Sequence, residues 1–530
     1  MFFTSYEFLG FVALLFIAYY LVPKKCQWPL LLVASYIFYF IAGPGYLVYI
    51  LATTVTIYLT AVLIQKKSDN ESAYIKEHKA EFSKEEKKAY KKKQKSIRFR
   101  WLIACLLFNI GILVVVKYAN FIISNVNGVL SLFPNTGQLS FVSLALPMGI
   151  SFYTFQAMGY LIDVYRGTIK AERNPFKLAL FISFFPLLIQ GPISRFKDLS
   201  ATLYGQHSFD AKTVSYGLQR MLWGYFKKMV VADRILTGVS TIIGDMDTYH
   251  GAYAFVGMLF YTLELYADFT GGIDITIGIA QTMGITVQEN FNLPYFATSL
   301  KDYWRRWHIS MCTWFKDYVF YPVSICHPMQ KFTRFCRSHL GNAVGKRLPV
   351  YVASLTVWLA TGVWHGASWN FIVWGLANAV ILLVSEELEP LYAGFHKRFH
   401  VDGNPFYTFF QITRTFLMIC CLNMFDCYSS VGETFGAFGS MFTARNWQII
   451  WDGSLLTIGL TMLDYGILLF GIIVMLTVSL VQRNGSVRDK IAARPYPVRF
   501  VIWYGLFLLV ILLGAYGIGY DASQFIYNRF

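Results

Sequence analysis

The chain has 530 residues, of which 56% are hydrophobic, 18% aromatic and only 14% charged, and it carries a formal net charge of +16. That balance lies far outside the soluble norm and excludes a water-soluble globular enzyme; it describes an all-α polytopic membrane protein. Eight cysteines show neither a CxxC pattern nor the regular spacing of a disulfide framework, so buried or reduced thiols are expected.

In chain order, roughly eleven or twelve apolar runs approach the ~20 residues needed to cross a bilayer. They lie at 8–22, 28–42, 46–64, 101–123, 178–193, 253–266, 309–325, 350–362, 369–385, 406–424, 467–481 and 498–519. The first lacks a basic n-region and a small-residue cleavage site, so it reads as a retained anchor. The stretch 144–161 is apolar but interrupted by Pro147, Gly149 and Gly159, which predicts a broken or re-entrant helix.

Basic residues concentrate in three connecting segments, 65–100, 326–347 and 482–499. Cytoplasmic loops carry the excess of Lys and Arg, so these segments face the cytosol and both termini are expected outside. The 65–100 segment mixes Lys with Glu and contains no Pro or Gly, which predicts a solvated helix or helical hairpin that meets anionic lipid head groups or an acidic carrier protein. No aromatic-interleaved basic face accompanies it, so nucleic acid is not an expected partner.

Charge then crowds into 290–310, where Asn290, Asn292, Lys301, Asp302, Trp304, Arg305, Arg306, Trp307, His308 and Ser310 follow one another closely. Trp304 and Trp307 suit an interfacial belt, and the arginine forks can meet phosphate or carboxylate. His365 sits in Thr361-Gly362-Val363-Trp364-His365-Gly366, inside a stretch from 350 to 385 that contains no Asp, Glu, Lys or Arg. An ionisable group at membrane depth marks a functional site, and imidazole exchanges a proton near neutral pH. The remaining histidines, at 78, 207, 250, 327, 339, 396 and 400, lie in polar or basic segments and read as solvated surface. No HExxH spacing is present, and a catalytic zinc normally takes three protein ligands, so no metal site is expected.

Six blocks, taken in order, resemble the membrane-bound O-acyltransferase family, specifically its bacterial alginate O-acetyltransferase and teichoic-acid D-alanylation branch. They are 151–156 with Asp163, 184–193, 267–278, 290–310, 314–318 and 361–366. The resemblance implies one integral membrane domain over 1–530: a basic cytosolic segment at 65–100, a catalytic core at 140–385, C-terminal helices at 386–519 and an aromatic tail at 520–530. It also implies bent and short helices around a central funnel in the plasma membrane. By similarity His365 is the essential histidine and His308 the second, coupled one, while Asn290, Trp304, Arg305, Arg306, Asp317 and Trp364 are expected to line the funnel or meet the donor.

The implied reaction takes an acyl group, most simply acetyl, from a cytosolic thioester to a hydroxyl on the outer side. The donor is acyl-CoA or an acyl carrier protein, with no permanently bound cofactor. A base must remove the hydroxyl proton and a donor must stabilise the oxyanion. Implied partners are membrane lipids and a separate extracytoplasmic esterase-like protein with a serine nucleophile, which passes the group to a cell-surface polysaccharide. The tail around Tyr527 resembles the aromatic C-terminal motif of this branch, in which a tyrosine is implicated as acyl acceptor, although Asn528 and Arg529 stand where Phe and Gln are usual. Two alternatives stay open: D-alanyl transfer to teichoic acid, and a non-enzymatic lipid or glycan transporter, since buried His and Arg also mark transport paths.

Overall fold

A computed structural model of the chain describes residues 3–133 and 136–516; Tyr527 and the rest of the aromatic tail lie outside them. The described residues form helices joined by turns and short coils, as the composition predicts. Seven of these segments are long and apolar enough to cross a membrane, and two shorter apolar ones, Tyr6–Leu21 and Pro175–Gln190, accompany them. The expected spans that fall outside this set are shortened or charged. The 309–325 run is three pieces, because Pro322 brings no N–H to the helical ladder: Ile309–Phe315, a widened π turn at Lys316–Phe320, and Tyr321–Ile325. The 253–266 run belongs to a 31-residue helix, Ala252–Thr282, that also carries Glu264, Asp268 and Asp274.

The chain divides into two compact units: Met1–Val214 with Ile279–Gln288, and Ser215–Gly278 with Glu289–Phe530. In the first, the helices Tyr6–Leu21 and Gln27–Ala42 meet through a cluster of rings. Phe11 packs edge-on against Phe185 at 5.3 Å between centroids, and Phe38 lies 5.6 Å from the same ring. The basic segment is a helical hairpin. Leu47–Glu77 turns back through residues 78–83 into Lys84–Leu113, whose start is fixed by a reciprocal Ser83–Glu86 capping box. Arg98 pairs with Glu71 across the hairpin at 2.9 Å.

The predicted break near 147–149 is present. Gly149 takes φ 68°, and a Cβ there would lie 2.3 Å from the Leu188 carbonyl oxygen, so only glycine fits; Ile150–Arg166 begins at the next residue. Gly159, by contrast, sits inside that helix. The 326–347 segment is helical rather than a loop: it opens the long His327–His365 helix, whose only non-helical residue is Gly341 at φ 77°. His207 is half-buried rather than solvated, its Nε2 lying 2.8 Å from the Thr202 carbonyl oxygen.

In the second unit a seam of small residues lets two backbones meet. A Cβ on Gly224 would lie 2.6 Å from the Gly271 carbonyl oxygen, and one on Gly278 would lie 2.8 Å from that of Gly217. This approach carries Lys227 and Lys228, on the turn after Ala211–Tyr225, against the acidic face of Ala252–Thr282. Lys228 is 1% exposed and lies 2.6 Å from Asp268 and 2.7 Å from Asp233. Two buried carboxylates around one ammonium satisfy groups that would be costly alone.

Candidate active site

The two histidines belong to the second unit and reach the site from different elements. His365 ends the His327–His365 helix, and the tight geometry there is set by glycines. A Cβ on Gly362 would lie 2.4 Å from the Phe371 carbonyl oxygen, one on Gly366 2.1 Å from the Phe371 ring, and one on Gly375 2.4 Å from the Trp358 carbonyl oxygen. The partner helix Trp369–Glu387 therefore packs backbone to backbone against the turn that presents His365. The His365 ring lies 4.6 Å from Trp374, 5.0 Å from Trp364 and 6.2 Å from Phe371.

His308 precedes the Ile309–Phe315 helix in a left-handed conformation, φ 47° and ψ 51°, which is uncommon for a residue with a Cβ. Asn290 holds this bend. Its main-chain oxygen accepts the Ile309 N–H at 3.0 Å, and its side-chain oxygen accepts the Ser310 N–H at 3.0 Å. Its amide nitrogen lies 3.3 Å from His308 Nδ1. The side-chain oxygen lies 3.4 Å from the same nitrogen; in the tautomer where the amide donates to Nδ1, the neutral ring carries its proton on Nε2. The ring is 1% exposed and packs edge-on against Phe269 at 5.0 Å and Trp364 at 5.9 Å. Trp364 thus lies against both histidines, and the expected pair meets in one aromatic site.

A second ring of aromatics backs this centre. Tyr295, Tyr303 and Trp307 stack nearly parallel, Trp307 lying 5.5 Å from Tyr303 and 6.2 Å from Tyr295. Trp304 is half-buried against Trp358 and Trp374, and its indole N–H donates to the Asn378 side-chain oxygen at 3.0 Å. Trp307 is likewise buried. Arg306 is tied to Asp302 one turn earlier at 3.0 Å, Arg305 is exposed, and Asp317 is half-buried on the π turn after Ile309–Phe315.

Phe371, Trp374 and Asn378 join the site without having stood out in the sequence, and Phe269 joins it from the 267–278 block. Asn370 and Asn378 did carry a signal, since polar residues eight apart share one face of an otherwise apolar helix. Among the described residues no group of three His, Cys, Asp or Glu side chains is placed to hold a metal ion.

Residues 173–425, which contain both histidines, match the model of the membrane-bound O-acyltransferase family. Over 391 residues the chain is 33% identical to a protein of Azotobacter vinelandii named "Probable alginate O-acetylase AlgI", covering 73% of this chain and 69% of that one. It is 29% identical to the "Peptidoglycan O-acetyltransferase" of Helicobacter pylori, covering 73% and 70% of the two chains. It is 26% identical to the "Teichoic acid D-alanyltransferase" of Bacillus subtilis, covering 54% and 69%.

Proposed function

Because the chain belongs to the membrane-bound O-acyltransferase family, we propose that this multi-pass membrane enzyme O-acetylates a cell-surface polysaccharide, drawing the acetyl group from a cytosolic thioester. Family membership sets the transporter alternative aside. The observation that carries the site assignment is the convergence of His308 and His365 on Trp364.

In the proposed reaction His365 is the base. It takes the proton of the acceptor hydroxyl as that oxygen attacks the thioester carbonyl, and returns it to the sulfur when the carbon–sulfur bond breaks. Ester and thiol leave with no net gain or loss of protons. His308, with its proton on Nε2, faces the developing oxyanion as a donor, an arrangement most effective in a dry aromatic setting. The acetyl donor is acetyl-CoA, and an extracytoplasmic esterase-like protein with a serine nucleophile carries the group to the final polymer. Tyr527 is the proposed first acceptor, with both termini on the outer side.

Acetyl transfer is favoured over D-alanyl transfer by the higher identity and longer coverage of the O-acetylating relatives. Purified protein given labelled acetyl-CoA or a D-alanyl-loaded carrier tests this directly. Turnover of acetyl-CoA that collapses in His365→Ala is the expected result; turnover of the D-alanyl carrier alone would replace the acetyl assignment.

A further inference from the structure

A polar cavity of about 70 Å³ lies in the unit that carries the two histidines. Phe291 lines it and packs against Phe269 at 4.9 Å, and Phe269 packs against His308, so two rings separate the cavity from the active histidine. Its lining brings together two cations, Arg220 and Lys227, the hydroxyl of Ser479 and the amide of Gln482, beside the carboxylates of Asp274 and Glu289. Such a donor set suits an oxyanion.

The fork of Arg220 is filled from within the chain. Its two Nη atoms donate to the two oxygens of Glu289, each at 2.6 Å, while its Nε donates to Asp274 at 2.9 Å. Lys227 donates to Asp274 at 2.6 Å and to Thr270 at 2.8 Å. The two halves of the bidentate pair differ sharply in burial: the Arg220 side chain is 13% exposed and that of Glu289 61%. Arg220 is fixed, and Glu289 is the half free to leave. A phosphoryl group matches the same planar fork.

We propose that this cavity is a phosphoryl-binding site in which the Glu289 carboxylate holds the ligand's place, and that a phosphate of the thioester donor displaces it. The inference rests on the reading that the donor bears phosphate. Displacement leaves Arg220 and Lys227 facing Asp274 and the incoming phosphoryl group, so charge remains balanced. The cavity holds one such group; the rest of the donor lies outside it. Glu289 immediately precedes Asn290, the residue that clamps His308. Occupancy of the cavity therefore bears on the chain segment that orients the active histidine.

The test is equilibrium binding of coenzyme A and, separately, inorganic pyrophosphate to the full-length protein in detergent. Glu289→Gln is expected to bind both about three- to fivefold more tightly, the scale of an exposed ion pair no longer in competition. Arg220→Lys, which keeps the charge and loses the fork, is expected to bind both more weakly while eluting as the wild type does. Unchanged or weakened binding of both probes to Glu289→Gln overturns the site. Coenzyme A binding that ignores both substitutions also overturns it, yet leaves the donor reading standing. Pyrophosphate binding that tightens in Glu289→Gln while coenzyme A does not bind supports the site and overturns the donor reading. Vesicles containing phosphatidylglycerol provide the last arm: if they compete with pyrophosphate and coenzyme A does not, the phosphoryl group is a lipid headgroup and the donor assignment falls.

Discussion

Asn290 and His308 are joined twice over: the amide of Asn290 reaches His308 Nδ1, and its two oxygens take the N–H groups that follow His308 in the chain. One side chain thereby sets both the direction of the ring and the bend of the backbone beneath it. Asn290→Ala is expected to lower kcat more than it alters KM, and to cost about 1–3 kcal/mol of stability because buried partners are left unsatisfied. Steady-state kinetics with thermal melts in detergent check both. Asn290→Asp replaces the donor to Nδ1 with an acceptor, so it should retain more stability than Asn290→Ala while activity stays low.

His365→Ala and His308→Ala should separate two roles. Loss of the base is expected to reduce turnover by about 10²–10⁴-fold, and loss of one oxyanion donor by about 10²–10³-fold. Both substitutions should leave donor binding within a small factor. Single-turnover assays with labelled acetyl-CoA distinguish chemistry from binding, and a His365→Ala protein that kept wild-type turnover would remove it from the reaction.

Gly362→Ala places a methyl group against the Phe371 main chain, which has no room to give. A destabilisation of about 1–3 kcal/mol is expected from overpacking, together with lost activity as the His365 turn is displaced. Gly436, where an added Cβ meets nothing within 4 Å, is the comparison site; Gly436→Ala should change the melting temperature little.

Lys228→Met removes the cation shared by Asp233 and Asp268. A loss of about 3–5 kcal/mol is expected, as for other broken buried pairs. Adding Asp233→Asn and Asp268→Asn to the same protein should recover part of it. Fluorescence-monitored melting of the single and triple variants measures the difference.

Tyr527→Phe addresses the proposed relay. Intact-mass analysis after brief exposure to acetyl-CoA should show an acyl adduct on the wild-type protein and none on the variant; an adduct that persists would move the first acceptor elsewhere.

The sequence marked His365 as an ionisable group in an apolar run and His308 as part of a charge-dense segment in an apolar chain, and the motifs around them occur in a recognisable order. It also marked the break at Gly149, where Pro147 and a glycine at positive φ leave a local signature. It did not disclose the burial of Lys227 and Lys228, which depends on Gly224 and Gly271 bringing Asp268 and Asp274 from 40 and 47 residues away. Trp304 and Trp307 show a related limit of local reading. Tryptophan suits both a membrane interface and a packed interior, and the partners Asn378, Trp358 and Tyr303 are brought to them only by the fold. Long-range pairing leaves no period in the chain.

The left-handed backbone at His308 has a consequence for chemical complementation. Glycine adopts that conformation without strain, so His308→Gly should fold more readily than His308→Ala while opening a hollow the size of an imidazole between Phe269, Trp364 and the Asn290 amide. Free imidazole supplied in solution would have a shaped, dry seat with its hydrogen-bond donor already in place. Restored turnover in His308→Gly that saturates with imidazole concentration would show that the protein needs the ring there and not its covalent tether.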